Sequence, residues 1–161
     1  MRLIGGLIGA NEGDTQIRSQ IAAFREELAK LGWIEGRNLQ VDLRFASGDP
    51  ERMRTHASEL VSRRPDVIFV STPAATRAVQ QQTQTIPIVF VGIGDPVVAG
   101  VVASTARPEG NATGFTNFLA SFGKRSKSRG GVILRSTGRR ESDSFWECCR
   151  SRILTISRTL T

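Results

Sequence analysis

The 161-residue sequence has a single histidine, two cysteines, and no apolar run near the roughly 18 residues that a membrane-spanning helix needs. Each scarcity removes a class of function. His56 is the only histidine and falls in a helical stretch between Arg54, Thr55 and Ser58, where a solvent-facing role is the plain reading. No Ser–His–Asp set can be assembled around it. The cysteines are Cys148 and Cys149. Neighbours rarely pair, and no metal-ligand spacing surrounds them, so neither a disulfide framework nor a metal site is expected. No acidic pair follows the first strand-like segment, which disfavours a phosphoacceptor domain. Gly5-Gly6-Leu7-Ile8-Gly9 places its glycines inside a strand rather than in the turn after it, so the dinucleotide fingerprint is missing. No cofactor is expected, and no enzymatic activity.

Positive charge is also missing from most of the chain, despite a formal net charge of +7. Residues 1–123 hold 12 Lys+Arg against 12 Asp+Glu, whereas residues 124–161 hold 10 against 3. The body therefore has no field to steer it to phosphates, and specific nucleic-acid binding is not expected of it. The last 38 residues contain eight arginines and seven serines, with isolated apolar islands such as 132–134 and 153–154. Too little apolar surface is available there to offset ordering entropy. Two domains follow: a folded body over 1–122, and a basic Ser/Arg-rich tail over 123–161 that is disordered or read out of frame.

The body alternates between two periods. Leu3, Ile4, Leu7 and Ile8 mark a buried strand, read here as such rather than as a leader remnant. Ile17, Ile21, Phe24, Leu28 and Leu31 recur at helical spacing, with Asp14 or Thr15 as cap and Gly32 as stop. Leu39, Val41, Leu43 and Phe45 alternate with polar residues, the pattern of an edge strand. Asp49-Pro50 opens a helix whose inner face is Met53, Ala57, Leu60 and Val61. Val67 to Val70 and Ile88 to Val91 are continuous apolar runs, the mark of strands buried on both faces. An alanine-rich helix from Ala74 to about Gln82 lies between them. Val97 to Ser104 is expected to form a short helix, and Ala112 to Phe118 a fifth strand or a linker. The order βαβαβαβαβ predicts one open parallel sheet of about five strands with helices on both faces.

In such sheets ligands bind at the carboxyl ends of the strands. Three small, polar loops fall there: Gly9-Ala10-Asn11, Ser71-Thr72-Pro73-Ala74-Ala75, and Gly92-Ile93-Gly94-Asp95-Pro96. The second and third are expected to run into helix N-termini, whose free N–H groups favour an anion. Capping by Thr72 and Asp95 alone, and capping combined with ligand contact, both remain open at this level. Asn111-Ala112-Thr113 has the spacing of a glycosylation acceptor, a signal of no weight by itself.

Several segments occur together in one order: Phe24-Arg25-Glu26-Glu27-Leu28, Leu31-Gly32-Trp33-Ile34-Glu35-Gly36-Arg37-Asn38, Pro65-Asp66-Val67-Ile68, Ile86 to Val91, Gly94-Asp95-Pro96-Val97 and Gly110 to Phe118. As a set they resemble the ABC transporter substrate-binding family related to tryptophan/tyrosine uptake proteins, with a type I periplasmic-binding fold, over about residues 2–122. The resemblance implies the N-terminal lobe of a two-lobed receptor that holds a small solute, possibly an amino acid, and docks onto a membrane permease. It also implies ligand contacts at Gly9, Ala10, Thr72, Ala74, Ala75, Gly94 and Asp95, with Thr116 near the crossing to the second lobe. Family members are periplasmic or membrane-associated. No export signal is recognised in this sequence, so it is expected to be cytoplasmic as encoded, and lacking the second lobe it is expected to bind weakly or not at all. The alternatives carried forward are an α/β nucleotide-binding or enzyme domain, and polyanion binding through the tail.

Overall fold

A computed structural model describes residues 1–102 and 110–116, with the side chains of Phe115 and Thr116 left out. The expectations for residues 103–109, for the end of the fifth strand at 117–118, for the boundary at 122–123, and for the tail with Cys148 and Cys149 lie outside the described residues.

Five strands form one sheet: β1 (Arg2–Ile8), β2 (Leu39–Phe45), β3 (Val67–Val70), β4 (Ile88–Ile93) and β5 (Ala112–Thr116). Every described pairing is parallel, and the order is β2-β1-β3-β4-β5. The alternating strand is thus at an edge, and the two continuous apolar runs are interior. Three helices connect them: α1 (Thr15–Lys30), α2 (Pro50–Ser62) and α3 (Pro73–Gln80).

The helix ends follow from local chemistry. Asp14 accepts from the Gln16 and Ile17 N–H groups and starts α1, and Asp49 does the same for Glu51 and Arg52 at α2. Gly32, at φ 86, lets α1 stop. Its N–H reaches the Ala29 carbonyl and that of Trp33 the Leu28 carbonyl, the paired bonds of a Schellman ending.

Helices lie on both faces. Ile68 is fully buried in a core shared with Met53, Ala57 and Leu60 of α2 and with Ala75, Ala78 and Val79 of α3. Phe69 is one residue along the strand and so projects from the opposite face, where it stacks on Phe24 of α1 with ring centroids 5.8 Å apart. The α2/α3 side holds the deepest burial: Leu7, Ile68, Val70, Val79, Ile88 and Phe90 are each 0% exposed. Each such side chain stabilises the fold by about 1.5–3 kcal/mol through removal from water. An ion-pair network seals the outer part of that side. Arg44 joins Asp42 and Glu59, Arg63 also meets Asp42, and His56 Nδ1 lies 3.5 Å from Glu59. His56, on α2 itself, has a side chain 24% exposed, so it is partly buried rather than free in solvent.

One helix expectation fails. The segment after β4 makes a hydrogen-bonded turn over residues 96–100, not a helix running on from Val97. Gly100, at φ 67, leaves the helical region, and Val101 and Val102 then go into the core at 3% and 5% exposure. The apolar spacing in Val97 to Val102 serves burial of the second valine pair, and the glycine breaks the helix that the same spacing suggested.

Candidate functional site

The order of strands creates the site. From β1 the chain crosses to β2 on one side, and from β2 it passes back over β1 to β3 on the other. The chain leaving β1 and the chain leaving β3 therefore run to helices on opposite faces, which makes the carboxyl ends of these two strands the switch point at which ligands bind in open α/β sheets. Because all five strands are parallel, their carboxyl ends at Ile8, Phe45, Val70, Ile93 and Thr116 share that edge. Gly9, Ala10, Thr72, Ala74, Ala75, Gly94, Asp95 and Thr116 are thus brought to one end of the molecule. Thr116 is placed there by the pairing of its backbone with Ile93.

Their roles at that edge differ. Gly9 is held from three sides. Its N–H donates to Ser71 Oγ at 3.1 Å, and its carbonyl accepts from Gly48 N–H at 2.7 Å. A Cβ at Gly9 would lie 2.6 Å from Thr72 Cγ2 and 2.9 Å from Thr72 Oγ1. Gly9 is thus a buried backbone joint that fixes the spacing of the two loops. Ala10 is half-buried beside it, and its carbonyl accepts from Ser47 N–H at 3.3 Å.

Thr72 begins α3. Its Oγ1 accepts from Ala75 N–H at 3.2 Å, and its carbonyl accepts from the Thr76 N–H and the Thr76 hydroxyl. Pro73 has no N–H. That leaves the N–H of Ala74, an exposed residue, with no acceptor among the described residues, at the positive end of the helix. Ala75 is fully buried, so its side chain belongs to the core and its N–H to the cap.

Asp95 is committed to its own turn. Its carboxylate accepts from Val97 N–H at 2.9 Å and Val98 N–H at 3.1 Å, and its carbonyl accepts from Ala99 N–H at 2.9 Å. The expected second helix N-terminus is replaced by this closed turn. Gly94 is exposed, with nothing within 4 Å of where a Cβ would sit.

Two contributors, Ser71 within a candidate loop and the Ser47-Gly48 turn, have roles that sequence reasoning does not assign. Ser71 holds the β1 loop through its hydroxyl, and the only sequence signal was its position beside Thr72. The Ser47-Gly48 turn buttresses Gly9 and Ala10; it was legible as a turn, but its partner was not, because strand adjacency is invisible in sequence. The Asn111 side chain, part of the apparent glycosylation acceptor, donates to the Thr83 and Ile86 carbonyls at 3.2 and 2.7 Å, and so serves as a structural latch. Among the described residues no group of His, Cys, Asp and Glu could hold a metal ion, and no helix is long and apolar enough to cross a membrane.

Comparison with known proteins gives a consistent set. The family described as ABC transporter substrate binding protein matches residues 12–121, well over half of the chain. A tyrosine-binding protein of Clostridioides difficile is 36% identical over 98 residues, which are 60% of this chain and 28% of that protein. A ligand-free, open substrate-binding protein with adhesive properties from Clostridium difficile superposes with a TM-score of 0.68 at 26% identity, covering 75% of this chain and 40% of that one. An ABC domain from Streptococcus pneumonia in complex with L-Trp gives a TM-score of 0.64 at 23% identity, covering 71% and 38%. The chain thus spans well under half the length of these relatives.

Proposed function

Since the chain belongs to the ABC transporter substrate-binding protein family, we propose that it is the solute-receiving first lobe of an importer's receptor, and that its solute is a small amino acid-like molecule. One observation carries the reading. A parallel sheet with its switch point between β1 and β3 gathers all eight assigned residues at a single edge. That edge offers the Ala74 N–H at a helix start, where a solute carboxylate would be favoured. The relatives named for tyrosine and crystallised with L-Trp support the amino-acid class.

In the intact arrangement a second lobe closes over the solute by hinge motion, and the closed receptor meets a membrane permease. The working location would be outside the cytoplasmic membrane, free or membrane-associated. A solute pocket buries about 70–90% of its ligand, and a single lobe supplies roughly half of that cover. Binding by residues 1–122 alone is therefore expected to be weak or absent. Isothermal titration with L-tyrosine and L-tryptophan tests this. Micromolar affinity would show that one lobe suffices and overturn the expectation of weak or no binding, and a phosphate-bearing ligand held on the Thr72 or Gly94 loop would favour a nucleotide-binding domain over the receptor reading.

A further inference from the structure

β2 is the outermost strand on its side of the sheet, paired with β1 alone among the described strands. The Asn38 carbonyl and the Ala46 N–H point at β1, where they meet Arg2 N–H and the Ile8 carbonyl. Backbone groups alternate sides along a strand, so the N–H and carbonyl groups of Leu39, Val41, Leu43 and Phe45 point the other way. Those of Leu39 are taken by the preceding turn: its N–H donates to the Ile34 carbonyl, and its carbonyl accepts from Gly36 N–H. Those of Val41, Leu43 and Phe45 have no backbone partner among the described residues. Such a row is a template for another strand.

The side chains of the row select its partner. Val41, Leu43 and Phe45 share one face of β2, and all three are half-buried. Asp42 and Arg44 share the other. Asp42 meets Arg44 and Arg63, and Arg44 also meets Glu59, so two cations balance two carboxylates. A balanced set can be covered without stranding a charge. Charges on an edge strand commonly repel a second strand. Here their order is self-complementary. Two copies of β2 laid antiparallel about Leu43 set Asp42 of each opposite Arg44 of the other. These are non-hydrogen-bonded positions, where Cα atoms come within about 4.5 Å. The same alignment sets Leu43 against Leu43 and Val41 against Phe45 on the apolar face, and all three residues then bond through their outward groups. Centring the pair on Asp42 would oppose two aspartates, and centring it on Arg44 two arginines, both destabilising. The charges thus favour the alignment about Leu43 over its neighbours on either side.

We infer that the outer edge of β2 is a homodimer interface: a second copy of this chain adds its own β2, antiparallel and centred on Leu43. The two five-stranded sheets become continuous across a two-fold axis, and the interface is isologous. Because the paired strands run in opposite directions, the carboxyl edges of the two copies face opposite ways. The Thr72 and Gly94 loops of each copy therefore stay open. The inference does not depend on what those loops bind.

Sedimentation velocity and amide hydrogen exchange by NMR, each on the full chain over a range of protein concentrations, test this. A dimer is expected to form as concentration rises, and the exchange of the Val41, Leu43 and Phe45 amides to slow in step with it. The Gln40, Asp42 and Arg44 amides face β1 and are expected to exchange alike at every concentration. This alternation separates strand pairing from association through any other surface, the basic C-terminal residues included. Arg44→Glu opposes two carboxylates at both close positions and is expected to weaken the dimer about tenfold or more. Asp42 keeps Arg63 in that variant, and its urea midpoint checks the fold. The alternation in the parent chain decides the matter whether or not the variant folds. A chain that stays monomeric at NMR concentrations, a dimer without the alternation, or a folded Arg44→Glu that dimerises as the parent does would each overturn the assignment.

Discussion

Gly9 and Thr72 act as one unit, because the space that a Cβ at Gly9 would fill is already occupied by the Thr72 side chain. Gly9→Ala must push Thr72 out of position, and Thr72 Oγ1 is the acceptor for Ala75 N–H at the start of α3. Overpacking of this kind costs about 1–3 kcal/mol. Thr72→Val keeps the volume but removes the cap, for about 1 kcal/mol. In a Thr72→Ala background the added methyl of Gly9→Ala has room. Its cost should then fall by at least about 0.5 kcal/mol, a coupling that a double-mutant cycle in urea measures. Additive effects would mean that the two loops are not in contact. Asn111 offers a second residue-scale test. Asn111→Ala leaves the Thr83 and Ile86 carbonyls without their donor, at a cost of about 1–2 kcal/mol. Asn111→Asp should be worse, because it sets a carboxylate against two carbonyl oxygens; equal urea midpoints for the two variants would contradict the latch.

At the scale of elements, β5 is held by an approach too close for any side chain. A Cβ at Gly114 would fall on the Phe90 carbonyl oxygen and ring. At Gly9 the obstacle is a side chain that can rotate, whereas here it is backbone. Gly114→Ala is therefore expected to reach or exceed the upper end of the overpacking range, about 3 kcal/mol. The damage should be local. Protection of the Ile88 amide, which donates to the Asn111 carbonyl at 2.8 Å, should fall in hydrogen exchange while the β1–β2 amides keep theirs. Uniform loss across the sheet would point to a global effect instead. The elements differ in how far sequence revealed them. Continuous apolar runs disclosed β3 and β4, alternation disclosed β2, and Asp14, Asp49 and Gly32 marked helix ends, because those signals are local. The turn after Asp95 was misread as a helix, since the valine spacing fits both and only the backbone at Gly100 decides between them. The register shift between β4 and β5 was out of reach altogether. It depends on which residues pair across β4 and β5, and register is a property of contacts rather than of runs.

For the whole molecule the open issue is what residues 123–161 contribute. The family match stops at 121, and the balance of charge changes from zero over 1–123 to strongly positive beyond. Both changes fall within a few residues of each other. A segment drawn from the same fold would continue the alternation of strand and helix periods, and this one replaces it with arginine and serine. We propose that the tail is read out of frame and adds nothing to the lobe. The described core already satisfies itself: the cluster around Leu7, Ile68 and Phe90 is closed by α2, α3 and the valines at 101 and 102. Deleting residues 123–161 should accordingly leave the urea midpoint and the amide spectrum of residues 1–116 unchanged. Alternative-frame translation of the DNA beyond codon 122 should restore second-lobe sequence. Unfolding on deletion would show that these residues pack as part of the structure, and finding no second-lobe sequence in any frame would remove the frameshift account while leaving the lobe and its edge in place.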